Sequence, residues 1–437
     1  MQKLFSEFTP STANDWKNQL IKDLKGEPYE NLIWQNENGI NIQPFYTKED
    51  LDQNYEPAFT HANWDICVHK TNLTSKEINT QLLADLNRGA SSISIDCNAL
   101  DLEIALKDIQ LNFIQSTFVV NETTAKALKT YLENHYNLND LNISLFSEKF
   151  STQNDLDNWK NVCTLFKEHK NIKTISVNSL PFHNQGCLAY YEVALTLSAL
   201  NEYLQDPIAS GSASKFVIKN GVNSDYFIQI AKLRAIRRSW TVLRSEYNLK
   251  NDLHLIIETS LTNKSISDKY NNLLRTTVES MAAVAGGCNE LIVTEFDVLF
   301  TENEKLSSRM AINQQLILKD ESYLDKMADI SCGSYYIESI TDAIATKALE
   351  TFKRFEKEGG YFKCIEKNIF SNEIKLQADQ RNELFKTGKQ LAIGVNKFKN
   401  EKEKISIPNQ KLDELNHLPI NNAVLNFELE NFFKQHA

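Results

Sequence analysis

Short runs of alternating apolar and polar residues recur along this chain, and longer helical patterns separate them. Seven runs have this form: SSISIDC (91–97), STFVVN (116–121), LNISLFS (141–147), KTISVNS (173–179), KFVIKNG (215–221), LHLIIETS (253–260) and ELIVTEFD (290–297). Strands that alternate with helices form parallel sheets, because a parallel connection needs room for a crossover. With a weaker eighth strand near ADISCGSYYIE (328–338), the count predicts an α/β fold, a (β/α)₈ TIM barrel. A doubly wound open sheet is the alternative.

Three of the intervening segments carry clear helix signals. The segment 224–248 has apolar residues at helical spacing, and Ser224 or Asp225 is placed to cap its start. The segments 268–287 and 339–360 both end in a Gly-Gly pair, which is typical of a helix C-terminus.

The predicted strands differ between their two faces. One face holds the aliphatic pairs Ile93/Ile95, Ile143/Leu145 and Ile175/Val177, and the other holds Ser92/Ser94/Asp96, Asn142/Ser144 and Thr174/Ser176/Asn178. If the aliphatic face meets the helices, small polar groups line the barrel axis. Such a lumen is roomy and hydrophilic and suits a threaded polar ligand; the alternative is a hydrogen-bonded interior. Phe146 would close the lumen if it points inward.

Composition excludes several functional classes. The 47 Lys and Arg against 57 Asp and Glu give a net charge of -10, which argues against nucleic-acid binding. The N-terminus has no signal-peptide pattern and no apolar run is long enough to span a membrane, so we expect a cytoplasmic protein. The seven cysteines lack a C-x-x-C spacing and are expected to be reduced and mostly buried. No metal-binding motif is present.

The sequence suggests three regions: an N-terminal arm that contacts a subunit (1–90), the barrel (91–360) and a C-terminal helical extension (361–437). The arm is rich in aromatic and polar residues, including Trp34, Phe45 and Tyr46, and cannot bury itself alone. We expect it to cover its own barrel or a partner. Arg234, Arg237, Arg238 and Arg275 lie on predicted amphipathic helices, where surface or interdomain salt bridges are the expected role.

Several blocks, in order, resemble the adenosylcobalamin-dependent methylmalonyl-CoA mutases. The first spans residues 16–51 and keeps Trp16, Leu24, Gly26, Trp34, Gly39, Pro44, Tyr46 and Asp50. The others are AKLRAIRRSW, DKYNNLLRTTVES, SSRMAINQQLIL, GSYYIESITDAIATKA and LAIGVNKF. The resemblance implies a (β/α)₈ barrel with coenzyme A threaded along its axis, which agrees with the polar strand faces.

The departures from that family concern its catalytic positions. Counting back from YYEVAL, the family's Tyr-His pair falls at Leu180-Pro181, with His183 two positions late. The Arg-Gln-Tyr run corresponds to Cys67, Val68 and His69, a strand histidine corresponds to Ile292, and the Gln-Asn-Asp segment is replaced by FSEKFST (146–152). Stabilising an acyl radical rearrangement requires a hydrogen-bond donor aimed at the thioester carbonyl. Leu180 and Pro181 have no side-chain donor, so we assign no catalytic residue; His183 and His69 are weak substitutes.

The resemblance also implies where the cofactor belongs. In the family, an α/β module with an Asp-x-His-x-x-Gly motif binds cobalamin; here His417 and His436 follow the barrel without that spacing. We expect adenosylcobalamin to be bound by the partner and none by this chain.

The leading hypothesis is therefore the small, non-catalytic subunit of a heterodimeric mutase with a large catalytic subunit. The alternatives are a catalytic acyl-CoA mutase chain with a separate cobalamin-binding subunit, and a module that binds coenzyme A thioesters in its barrel.

Overall fold

In the computed structural model, residues 8–9, 11–51, 56–206, 216–300 and 305–399 of the 437-residue chain are described. Eight parallel strands form the central sheet: β1 (Asp65–Lys70), β2 (Ser92–Asp96), β3 (Gln115–Val120), β4 (Asn142–Ser147), β5 (Ile172–Lys173 and Ile175–Asn178), β6 (Phe216–Val222), β7 (Leu253–Thr259) and β8 (Glu290–Ile292). Strand β5 is interrupted at Thr174; its first part pairs with β4 and its second part with β6. Because β8 also pairs with β1, the sheet closes into the predicted barrel.

The expected eighth strand near residues 328–338 is wrong. That segment forms turns and the start of the helix Tyr335–Glu358. The missing strand is β1, where Cys67 pairs with Ile292 on one side and with Ser92 on the other. The first barrel strand thus lies inside the range 1–90 that we assigned to the arm, while the division into three regions stays a prediction.

Thirteen α-helices lie within the described residues: α1 (Ala13–Asp23), α2 (Ser75–Leu86), α3 (Leu102–Ala105), α4 (Glu122–His135), α5 (Gln153–Phe166), α6 (Leu180–Asn184), α7 (Ala189–Leu204), α8 (Tyr226–Glu246), α9 (Lys269–Ala285), α10 (Lys305–Leu316), α11 (Tyr335–Glu358), α12 (Tyr361–Glu366) and α13 (Ile369–Lys386). Helices α8, α9 and α11 confirm the three helical predictions. Asp225 is the N-cap residue of α8, although its side chain makes no capping hydrogen bond. Gly359 ends α11 in the left-handed conformation, which favours glycine at this position.

The two faces of the strands divide as predicted. Ile93, Ile95 and the other aliphatic residues of their face belong to the main core that packs against the helices. On the inner face, the Ser92 hydroxyl donates to Glu290, which also lies 2.6 Å from the His254 imidazole. This inner layer, near the N-terminal ends of the strands, is therefore a hydrogen-bonded polar network.

Arg234 and Arg238 of α8 form the expected salt bridges, but a surface position is wrong for Arg234, which lies in the interior. Arg234 is fully buried and binds both Asp329 and Glu338. Arg238 binds Glu338 and Asp342. These contacts attach the segment 328–338 and α11 to the barrel.

The arm packs partly on its own barrel. The Lys347 ammonium on α11 donates to the carbonyl of Asn38 in the turn between two short arm strands, Trp34–Gln35 and Asn41–Ile42. Tyr46 packs against Tyr336 with ring centroids 5.5 Å apart. Trp34 and Phe45 remain about half exposed. The predicted contact role of the arm aromatics thus holds for Tyr46 on this chain's own barrel.

Three further expectations concern the whole chain. All seven cysteines are free, and six of them are buried, as predicted. Within the described residues, no helix combines the length and apolar character needed to cross a membrane. His417, His436 and the C-terminal segment 400–437 lie outside the described residues.

Candidate functional site at the mouth of the barrel

The carboxyl ends of the strands meet at one end of the barrel, which we call the mouth. In α/β barrels this end carries the functional loops. A cavity of about 230 Å³ lies there between the ends of β1, β7 and β8, with His69, Glu258 and Ile292 on its walls. The catalytic positions expected from the sequence should therefore lie at the mouth.

Leu180 and Pro181 lie at the start of α6, directly after β5. The Leu180 side chain is buried, and its backbone N–H donates to the Asn178 side chain at 3.2 Å. Pro181 has no N–H. The backbone N–H of Leu180 is thus the one backbone donor of this pair, and the turn into α6 already uses it. Neither residue offers a hydrogen-bond donor to a bound carbonyl.

Cys67, Val68 and His69 lie on β1, and all three line the cavity at the mouth. Cys67 is buried in the lumen, where burial raises the pKa of its thiol well above its ordinary value. His69 shares a hydrogen bond of 3.0 Å with the Ser94 hydroxyl. Burial, with the nearby Lys219 ammonium, lowers the pKa of His69 to about 4. At neutral pH this imidazole is uncharged.

The lumen just below the mouth is packed with apolar side chains. Phe146 points inward, and it packs with an inner cluster formed by Cys67, Val217, Ile256 and Ile292. Ile292, the position that corresponds to a family histidine, is thus part of this cluster. The expectation of a roomy, polar axis is wrong at this level. Deeper in the lumen, the Thr117, Ser144 and Ser176 hydroxyls are buried without a partner among the described residues.

His183, the first substitute, lies buried at the edge of the mouth. Its ring fills the space beside Gly221, where any side chain would overlap it. Its Nδ1 lies 3.0 Å from Glu192 Oε2, which also accepts from the Lys232 ammonium at 2.8 Å. Burial lowers the pKa of His183 below its ordinary value. Although burial opposes it, Lys232 holds the pKa of Glu192 below its usual range.

Sequence reasoning missed an ion pair at the mouth. Lys219 on β6 lies 2.8 Å from Glu258 on β7, and both side chains keep some exposure. Although burial opposes it, Lys219 holds the pKa of Glu258 below its ordinary value. The alternation of residues along both strands places Lys219 and Glu258 on the inner face. This alternation could have indicated the ion pair from the sequence. Because Glu258 already engages the Lys219 ammonium, this cation is a weakened donor for a ligand.

Within the described residues, the structure provides neither a metal site nor a histidine after the barrel. Within the described ranges, no three His, Cys, Asp or Glu side chains form a group that could hold a metal ion. The described segment after α11, residues 361–399, contains no histidine. The segment 146–152 contributes Phe146 to the lumen and then leaves the barrel as a partly exposed loop.

Comparisons with known proteins agree with this geometry. The family described as methylmalonyl-CoA mutase matches residues 148–422. The methylmalonyl-CoA mutase small subunit of Porphyromonas gingivalis is 30% identical over 91% of this chain and 71% of that protein. The methylmalonyl-CoA mutase of Rhizobium meliloti is 25% identical over 90% of this chain, and the human mitochondrial enzyme is 26% identical over 89%. This chain spans 65% and 61% of those two relatives, less than two thirds of each.

Proposed function

The chain belongs to the methylmalonyl-CoA mutase family, and from this premise we propose that it is the small, non-catalytic subunit of a heterodimeric enzyme. The holoenzyme would interconvert methylmalonyl-CoA and succinyl-CoA with adenosylcobalamin. A large subunit would supply the catalytic residues and bind the cobalamin, and this chain would support it structurally.

The observation that carries the proposal is the state of the mouth. Leu180 and Pro181, which we place at the family's donor positions, have no side-chain donor, and Phe146 packs into the lumen of the barrel. Electrostatic stabilisation of a reacting carbonyl needs donors that are fixed in place before the reaction begins. Here the described candidates are neutral, as for His69, or already paired, as for Lys219.

The test uses this chain and its large subunit, purified separately and then mixed with adenosylcobalamin and methylmalonyl-CoA. We expect no turnover from this chain alone, and co-elution of the two chains on size exclusion at micromolar concentration. Turnover by the isolated chain, or separate elution of the two chains, would contradict the proposal. Two variants form a matched pair for locating the contact between the two chains. Trp34→Ala changes an exposed residue of the arm, and Ile104→Ala changes an exposed residue of α3.

A second candidate function is favoured by the position of His183 beside the mouth. In this alternative the chain is itself a catalytic acyl-CoA mutase that borrows a separate cobalamin-binding subunit, with His183 or His69 as the donor. Turnover of an acyl-CoA on adding such a subunit, lost in His183→Ala but kept in the exposed control His135→Ala, would support it.

A measurement of coenzyme A binding distinguishes the two mutase proposals from the third possibility, a module that binds coenzyme A thioesters. We expect Phe146 to exclude the coenzyme A chain from the lumen, because its ring fills the apolar cluster below the mouth. Equilibrium dialysis with coenzyme A should then give no saturable binding, and Phe146→Ala should permit it. Saturable binding by the unmodified chain would favour the thioester-binding module.

A further inference from the structure

A second, smaller cavity of about 100 Å³ lies where three distant parts of the chain meet. The barrel contributes the loops and helices that follow β5 and β6, the arm contributes the turn between its two short strands, and α13 with the turn after it closes the remaining side. Six polar residues on its walls matter here: Asn38, His183, Glu192, Gln229, Arg381 and Gln390. The arm and the C-terminal helix thus complete a space that the barrel alone would leave open.

Each of these six residues carries a buried polar atom without a partner among the described residues. The atoms are Asn38 Oδ1, His183 Nε2, Glu192 Oε1, Gln229 Oε1, Arg381 Nε and Gln390 Oε1. Four of the side chains, those of Asn38, His183, Glu192 and Gln229, are more than nine-tenths buried. A buried polar group without a partner is costly, so unpartnered atoms grouped around one space indicate that something fills it.

The hydrogen-bonding character of the walls defines what the occupant must offer. Four of the six atoms are amide or carboxylate oxygens, which only accept. His183 Nδ1 lies 3.0 Å from the Glu192 carboxylate and 3.4 Å from the Lys232 ammonium, so Nε2 can act as a donor or as an acceptor. Apart from His183, four acceptors are therefore present beside one donor, Arg381 Nε. An occupant rich in N–H or O–H donors fits this set.

The charges of the cavity walls indicate which kind of occupant the cavity favours. Glu192 is fully buried, and Lys232 donates only to its Oε2, which leaves Oε1 as an ionised oxygen without a donor. The walls carry three carboxylates, those of Glu37, Glu192 and Asp225, against two cations, the guanidinium of Arg381 and the Lys232 ammonium that pairs with Glu192. Hydrogen bonds to a carboxylate are stronger when the donor is itself charged. The cavity thus favours a cation.

We propose that this cavity binds a small primary ammonium compound, with its N–H groups directed to Glu192 Oε1 and the neighbouring amide oxygens. Leu188, Ile228 and Phe385 also line the space and would contact a short hydrocarbon chain. The volume admits only a few non-hydrogen atoms. This site is separate from the proposed subunit role and stands without it.

The experiment titrates the full chain with ethylammonium chloride by calorimetry, at constant ionic strength, beside sodium chloride and tetramethylammonium chloride. We expect saturable binding of ethylammonium and none of tetramethylammonium, which has the charge but no N–H. Gln229→Leu removes one acceptor and should weaken ethylammonium binding about tenfold. Gln153→Leu, an exposed change of the same type on α5, should leave it unchanged.

Three results would overturn the proposal: heats that do not saturate, an equal response to tetramethylammonium, or unchanged binding in Gln229→Leu. If Gln229→Leu fails to fold by circular dichroism, Gln390→Leu makes the same test from the opposite, half-buried wall.

Discussion

Helix α8 carries two buried cations, Lys232 and Arg234, only two residues apart, and they differ in how completely their anions are satisfied. Arg234 faces Asp329 and Glu338, and all four oxygens of these carboxylates accept hydrogen bonds. Lys232 faces Glu192, where one carboxylate oxygen accepts and the other has no partner among the described residues. Both cations are fully buried. Burial therefore does not distinguish the two clusters.

The two clusters differ in whether a cavity lies beside them. The Asp329–Glu338 cluster receives its remaining donors from Arg238 and from the backbone N–H groups of Ala58 and Gly333. Among the described residues, only the Arg234 Nε of this cluster lacks a partner. The Glu192 cluster adjoins a cavity instead. A completed network holds helices together, whereas an incomplete one next to a cavity can receive a ligand.

The largest expected effect comes from breaking the completed network. Arg234→Met leaves two buried carboxylates short of a partner, and we expect it to lower the free energy of unfolding by about 3–5 kcal/mol. Urea denaturation measures the change. Arg309→Met, at an exposed position, should change it by less than about 0.5 kcal/mol. A loss below about 1 kcal/mol for Arg234→Met would show that the network contributes little.

Lys232→Met should cost less, near the lower end of about 3–5 kcal/mol, because only one carboxylate loses its partner and His183 remains beside it. The same denaturation experiment applies. Lys126→Met removes an exposed pair with Glu122 and is expected to cost about 0.3–0.5 kcal/mol. An equal or larger loss for Lys232→Met than for Arg234→Met would erase the difference between the two clusters.

The pH dependence of stability should also separate the clusters. Burial holds the pKa of His183 below 6.5 in the folded chain, so the unfolded chain takes up its proton first as the pH falls. Stability conferred by a neutral His183 is therefore present above pH 6.5 and declines as the pH drops below it. His69, with a folded pKa of about 4, adds to the decline between 6.5 and 4.

His183→Gln should reduce that slope by at most about 1.4 kcal/mol per pH unit, because one imidazole accounts for at most one proton. Arg234→Met should keep it, since the described contacts of Arg234 include no histidine. Urea midpoints at pH 7 and pH 5 test both variants. A slope that survives His183→Gln unchanged would mean that this imidazole is protonated alike in both states.

The smallest expected effect lies at the mouth. Lys219 and Glu258 are partly exposed, so Lys219→Met should change stability by about 1 kcal/mol or less. In the complex with the large subunit, we expect mutase turnover within a factor of about two of the unmodified enzyme. A large loss of turnover would instead mean that this ammonium takes part in the reaction.

The strands show how far local patterns predict this fold. Seven strands and the division of their faces follow from alternation, because successive side chains of a strand point to opposite sides. Strand β1 was missed because DICVHK ends in two polar residues that lie at the barrel mouth and edge. The segment 328–338 looks like a strand, with paired tyrosines and an isoleucine. Its last four residues instead form the first turn of α11, where Glu338 binds Arg234, about a hundred residues away in sequence.

The site was predictable only in part. The place of Leu180 and Pro181 at the end of a strand follows from the KTISVNS pattern, and their lack of donors follows from their chemistry. Whether they occupy the family's catalytic positions stays a prediction. The Lys219–Glu258 pair was not foreseen, because its partners are joined by the register of two neighbouring strands. The arginines were expected in surface or interdomain salt bridges, and the burial of Arg234 was not foreseen, because helical periodicity does not reveal what covers a helix.

By itself, the amino-acid sequence determined the barrel, the aliphatic outer face of its strands and the lack of side-chain donors at Leu180 and Pro181, since each depends on residue types at short spacing. Only the tertiary structure decided that Phe146 fills the lumen, that Arg234 is buried, and that Asn38, His183 and Gln390 enclose one space. The reason is physical: charge pairing and cavities depend on which surfaces meet, and these surfaces come from parts of the chain that share no local pattern.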